Sequence, residues 1–238
     1  MKKSIFLFVL GLIILSFSFS WAQEKPRLGV LRFTNQTHAG WWSANMGYEL
    51  QDMLASELAN TKAFQVLERK EINAVLGEQD LGASGRVDPR TRAKIGKIKG
   101  AKYLVAGTVS AFEEQTAGTG GGIGIMGFSV GGKKDKAYMA VDLKVIDAET
   151  GEIADNRTVE ATSESTGLRF GASLGIISGN LGQYEKTPTG KAIRACIIEI
   201  SEYLECSLVK GKNDPCMQTY AAKDSSRREK TKKSIKLD

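Results

Sequence analysis

The chain has 238 residues, 33 basic against 27 acidic, and a formal net charge of +6. The surplus is not spread evenly: Lys210 to Asp238 holds nine basic and four acidic residues, Lys2 and Lys3 add two more charges, and the body between is about neutral. A basic binding face of the body is therefore excluded. Nucleic acid is not expected as a partner, because the basic run lacks interleaved aromatics.

The first 22 residues read as an export signal. Lys2 and Lys3 precede an apolar stretch from Ile5 to Phe19, and Ser20-Trp21-Ala22 offers small residues at the two positions a signal peptidase reads. Cleavage is expected after Ala22. That stretch is too short for a spanning helix, and no later segment approaches the roughly 18 apolar residues one requires. Entry into a membrane would have to be by β-strands.

Leu28 to Phe33 reads as a buried strand after Pro26. A polar loop from Thr34 to Trp42 follows. A helix is then predicted from the stripe Met46, Leu50, Met53, Leu54 and Leu58, capped by Ser43 or Asn45. Phe64 to Leu67 is a short strand. Lys70 to Leu76 is a helix, and Asp88-Pro89 starts another that runs to about Lys97. Tyr103 to Val109 is the next strand. This order is a compact α/β unit.

The composition then shifts, with eight glycines between Gly118 and Gly132. Ala137, Met139, Val141, Leu143 and Val145 alternate with polar or small residues as a period-2 strand. Asp147 to Gly151 is a turn, and a strand around Ile153 to Glu160 pairs back. Leu168, Phe170, Ala172 and Leu174 form a second alternating run, and Leu181 to Thr187 can return as a weaker strand. Thr187 or Thr189 then caps a helix from Lys191 to Leu204. Two Gly-rich hairpins so interrupt the body, and their alternation suits a barrel wall with lipid outside and water inside. Half-buried strands of soluble sheets alternate in the same way.

Chemistry is hard to find. Gly122, Gly124 and Gly127 match a G-x-G-x-x-G phosphate loop, with Asp147 twenty residues on, but so much glycine after them cannot open a helix. His38 is the single histidine, so it makes neither a catalytic set nor a metal site. Glu113 and Glu114 are neighbours on opposite strand faces. Cys196, Cys206 and Cys216 fit no zinc spacing, and Cys206–Cys216 is a possible disulfide across the Asn213-Asp214-Pro215 turn. The chain is expected to be non-enzymatic and without cofactor. Residues 210–238 are expected to be a disordered basic tail. Trp41 and Trp42 sit in a loop before the first helix, either plugging the edge of the core or offering a docking surface.

The segments LGVLRFTN (28–35), FQVLER (64–69), GAKYLVAGTVS (100–110) and VDLKVIDAETGEI (141–153) resemble the curli secretion channel family (CsgG/HfaB type). The resemblance covers almost all of residues 25 to 206. It implies an α/β (α+β) periplasmic domain over 23–209, with two inserted β-hairpins at about 112–145 and 162–187 that join an oligomeric transmembrane β-barrel. Ala137, Met139, Val141, Leu143, Leu168, Phe170, Ala172 and Leu174 would face lipid. The resemblance also implies a homo-oligomeric ring of about nine subunits in the outer membrane, facing the periplasm. Unfolded secreted protein would be the cargo, as for curli-like fibre subunits, with a periplasmic accessory factor as a further partner. By spacing, Trp41, Asn45 and Met46 match the family's channel constriction, with Met46 where the family has an aromatic. The family's channels commonly begin with a lipid-bearing Cys, where this chain has Gln23. That departure keeps open a second reading, a soluble periplasmic adaptor or activator of cell-wall enzymes on the same fold.

Overall fold

A computed structural model of the chain describes residues 24–118, 123–125, 128–130, 132–168 and 187–234. One mixed sheet organises them. Strands β1 (Arg27–Val30), β3 (Gln65–Leu67) and β4 (Tyr103–Gly118) run parallel, in the order β3-β1-β4. The two-residue β2 (Thr34–Asn35) pairs in parallel with β4 at Thr108 and Val109. Strands β7 (Gly132–Asp147) and β8 (Ile153–Leu168) then extend the sheet antiparallel, so the path ends β4-β7-β8. A separate small hairpin joins β5 (Ile123–Ile125) and β6 (Phe128–Val130).

Two helices cover one face. Helix α1 (Met46–Thr61) buries Met46, Leu50, Leu54 and Leu58, the stripe its spacing predicts. Asn45 occupies its N-cap position without a capping side-chain hydrogen bond. Helix α3 (Pro188–Glu205) buries Ile193, Cys196, Ile197, Ile200 and Leu204. Its start follows the sequence: Thr187 accepts from the Gly190 N–H at 3.1 Å, and Pro188 occupies the first turn. Helix α2 (Ile72–Ala83) is mostly exposed.

Against these helices lie Leu28, Val30, Val105, Val109, Ala137, Met139, Val141, Leu143, Val145 and Val159 in one continuous core. This corrects a sequence expectation. Ala137, Met139, Val141 and Leu143 do alternate along one strand face, but each is no more than 1% exposed under protein and none faces lipid. The Cys196 thiol lies against the Met139 carbonyl at 3.7 Å, which places α3 on that face. Burial pushes this thiol up to about 12, so it stays a neutral packing group.

Three further expectations change. No helix begins at Asp88: the Asp88 carboxylate accepts the Arg90 N–H at 2.9 Å, and the chain goes on through turns, with Gly96 at φ +77°. The strand from Ile153 continues to Leu168, so Leu168 ends β8 where a second hairpin was expected to be under way. Phe170, Ala172 and Leu174 lie outside the described residues, as does Leu181 to Lys186. The basic tail is ordered through Ser234: a π-turn (Cys206–Lys210) leads to helix α4 (Pro215–Ser234), and the Cys206–Cys216 disulfide forms with 6.1 Å between Cα atoms.

Phe33 ties β1 to the rest. It is 1% exposed, its N–H donates to Gly47 O, and its ring fills the space where Gly107 lacks a side chain. A Cβ at Gly107 would overlap that ring. Gly107→Ala should therefore destabilise by about 1–3 kcal/mol or more. Gly100→Ala, which meets nothing within 4 Å, should stay within about 0.5 kcal/mol. Urea midpoints of the two variants check this.

Candidate assembly surface

Strands β4, β7 and β8 are each 16 residues long, well beyond the ordinary five or six. They pair along their whole length, from Tyr103↔Asp147 to Gly118↔Lys133 and from Ile146↔Ile153 to Gly132↔Leu168, with one register shift in each ladder. The helical cover is shorter. Helix α3 begins at Pro188, where Thr189 Oγ1 donates to Glu114 Oε1 at 3.1 Å. Past Glu114, Ala137 and Ser163 the three strands run on by four or five residues each, roughly 15 Å at the usual rise per residue.

This ribbon has two open edges. Strand β2 covers the outer edge of β4 at Thr108 and Val109, and the Gln36 N–H donates to Val109 O at 2.9 Å. Among the described residues β4 has no strand beyond β7 from Ala111 onward, and β8 has none beyond β7 along its whole length. The register shifts between Val109 and Ala111, at the point where β4 leaves the cover of β2. Such a bulge bends and twists the outgoing strand.

The loop before α1 lies at the base of the ribbon. Trp41 packs edge-on against Phe112 of β4 at 5.4 Å and against Trp42 at 5.5 Å. It is 4% exposed, and its indole Nε1 is buried without a partner in the structure. Met46 is fully buried and Asn45 is exposed. The three residues matched to a constriction therefore do not share a surface. Trp41 and Met46 belong to the core, where Trp41 packs with Phe112 and Trp42, and of the three Asn45 alone meets solvent. Tyr48, in the first turn of α1, is 40% exposed, with the Arg32 guanidinium 4.7 Å over its ring and Arg32 Nη2 donating to Ala44 O at 3.0 Å. The sequence carried a signal for it: Tyr48 falls off the apolar stripe that begins at Met46.

At the far edge α4 is clasped to the sheet. Arg157 of β8 lies 5.0 Å over the Tyr203 ring and 4.8 Å over the Tyr220 ring, and its Nη2 donates to Tyr220 O at 2.9 Å. Asp155 accepts from the hydroxyls of Tyr203 and Ser207. Lys223 pairs with Glu199 at 2.6 Å. Burial, with Glu199 nearby, pushes the Tyr220 phenol up to about 12. Cys206, Asp214 and Cys216 form a group of metal-type donors, but the disulfide leaves no thiolate to bind. His38 is exposed. Among the described residues no helix is long and apolar enough to cross a membrane.

Comparison with known proteins adds to this geometry. Residues 16–235 match the family described as Curli production assembly/transport component CsgG. Over 157 residues the chain is 30% identical to a Neisseria meningitidis serogroup B protein described as a candidate lipoprotein. That match covers 65% of this chain and 61% of the relative's length. Among solved structures, the hypothetical protein CT253 of Chlamydia trachomatis matches at 14% identity with a TM-score of 0.45, over 79% of this chain and 99% of that one. The PelC dodecamer of Paraburkholderia phytofirmans matches at 13% identity with a TM-score of 0.34, over 75% and 87%. Lipoprotein GNA1162 of Neisseria meningitidis matches at 15% identity with a TM-score of 0.32, over 59% and 84%. All three scores lie below the level from which a shared fold follows.

Two outcomes test the geometry. Trp41→Ala should cost about 3–5 kcal/mol as a core truncation, while Asn45→Ala should cost at most about 0.5 kcal/mol; equal urea midpoints would place Trp41 outside the core. The Tyr220 phenol is raised in the folded state, so its contribution is complete below about pH 10 and is lost as pH rises through about 12. Tyr220→Phe should lessen the alkaline fall in stability over that window, followed by circular dichroism.

Proposed function

The chain belongs to the curli production assembly/transport component family, whose members are exported and associated with the outer membrane, and from that membership and its open ribbon edges we propose that it is a subunit of a homo-oligomeric outer-membrane secretion channel. It passes unfolded protein, such as curli-like fibre subunits, and catalyses no reaction. The observation that carries this reading is the pair of open edges on a ribbon that outruns its helices.

Chain length supports it. Between Glu114 and Ala137 there are 22 residues, and between Ser163 and Thr187 there are 23. Two tilted strands of about nine to eleven residues with a short turn need that much to cross a bilayer and return. Strand β4 leads out, β7 returns and β8 leads out again, so a descending fourth strand before Thr187 would set antiparallel neighbours side by side between copies. Three or four strands cannot close a barrel by themselves, and an open edge is not tolerated in lipid. Copies must therefore supply each other's hydrogen bonds. A ring of about nine such copies is what the family resemblance implies.

The lumen-facing groups at this end of the domain are then Asn45 of the loop before α1, Tyr48 of its first turn and Arg32 just after β1. The burial of Trp41 and Met46 favours a second reading to the same extent, a periplasmic adaptor or activator that displays no constriction.

Detergent-extracted protein decides between them. The channel reading expects a large ring and stepwise conductance in planar bilayers, both lost when residues 116–134 are replaced by a short turn. A folded monomer in detergent that gives no conductance would overturn it.

A further inference from the structure

Helix α4 runs alongside β8. Tyr220 stacks on Arg157, and one stretch further on Arg227 lies within reach of the Glu160 carboxylate. Seven helical residues advance about 10 Å, and three strand residues also advance about 10 Å. The two elements therefore point the same way, out along the ribbon. From Arg227 to Ser234 the helix advances another 10 Å or so, to about the level of Ala137 and Ser163, where α3 begins. Its end thus lies where the strands leave the domain.

The two halves of α4 differ. The first is held by the Cys206–Cys216 disulfide, the Tyr220 stack and the Lys223–Glu199 pair. In the second, Asp224 is engaged by both Arg227 and Arg228, at 2.6 and 2.7 Å, which holds its carboxyl below the usual range. Lys230, Lys232 and Lys233 are exposed and have no ion-pair partner among the described residues. Between Lys223 and Ser234 there are six basic residues and two acidic ones. The strands near that level do not carry such a surplus: Glu113, Glu114 and Glu160 outnumber Lys136 there, with Glu114 engaged by Thr189 and Glu160 by Tyr138. Tyr220 is the one buried residue of α4, so its outer half has no apolar face to insert among acyl chains.

We propose that the outer half of α4, through Lys230, Lys232 and Lys233, is a docking surface for anionic phospholipid headgroups of the leaflet that faces the domain. A fixed cluster of lysines at the base of a projecting ribbon meets a negatively charged membrane surface by attraction alone, and the ribbon is brought upright to the same plane. The contact does not depend on the ribbon closing into a barrel, and it holds for a channel or an adaptor.

The test is vesicle flotation of the full chain. Wild-type protein should bind vesicles of phosphatidylcholine and phosphatidylglycerol, and the K230E/K232E/K233E variant should bind them about tenfold or more weakly. The difference should vanish at about 1 M salt, where charges are screened beyond about 3 Å, and K230R/K232R/K233R should bind as wild type. These side chains touch nothing in the core, so circular dichroism should not change. Equal flotation of wild type and the charge-reversed variant overturns the proposal, as does a salt-insensitive difference. A variant that floats normally but no longer forms the ring would make this face a contact between copies, which also overturns it. Loss of conductance with headgroup binding intact would sink the channel reading alone.

Discussion

Among the described residues the structure depends on one unmet requirement, the hydrogen bonding of β4 and β8 on their outer edges. A backbone N–H or C=O left without partner is tolerable in water and costs several kcal/mol in hydrocarbon. Within the domain the sheet ends safely. On one side β3 is only three residues long, and on the other α4 lies alongside the lower half of β8, held there by Arg157. Short edge strands and covering elements are the usual ways of blunting an edge. Past Val109 on β4, and past about Ser163 on β8, neither device operates among the described residues. Among the described residues the same sheet is thus closed to pairing at its base and open to it where it projects, and the proposed contact between copies uses the open part.

The body of the fold was legible from periodicity. The stripe from Met46 to Leu58 and that from Ile193 to Leu204 became the two covering helices, and Thr187-Pro188 marked the start of the second. What periodicity does not report is the medium that covers an apolar face. Ala137, Met139, Val141 and Leu143 have the same spacing under a helix as under lipid. The boundary lies where α3 begins, at the Thr189–Glu114 contact, and that is a long-range fact about a helix 75 residues away in the chain. The constriction match failed for a related reason. Spacing fixed the places of Trp41, Asn45 and Met46, but Trp41 turned inward because Phe112, from a distant strand, offers it an apolar partner.

Composition misled at the C-terminus. A segment so rich in charge has too little apolar surface to fold by itself, and α4 indeed buries only Tyr220. Its order comes from outside its own sequence. The disulfide closes a loop of ten residues, which removes about 3 kcal/mol of chain entropy from the unfolded state, and the Arg157 guanidinium, beside the edge-on pair Tyr203 and Tyr220, adds a cation–π contact with each ring. The cysteine spacing had suggested the bridge. The stacking partner on β8 could not be read from the tail.

Trp41 also links two parts that would otherwise act separately. Its ring joins the loop before α1 to Phe112, just past the bulge at which β4 leaves β2. Tightly packed side chains have few alternative arrangements. A shift of β4 on pairing with a neighbour must therefore move Trp41, and with it the backbone that carries Asn45 and Tyr48, or else open a cavity beside Phe112. The first course is the less costly, since the Asn45 side chain has no capping bond to break and the Tyr48 ring rests at the surface on the Arg32 guanidinium. Burial of Trp41 thus does not remove the loop from the assembly surface. It makes Trp41 the strut through which the exposed residues of the loop follow the strand edge.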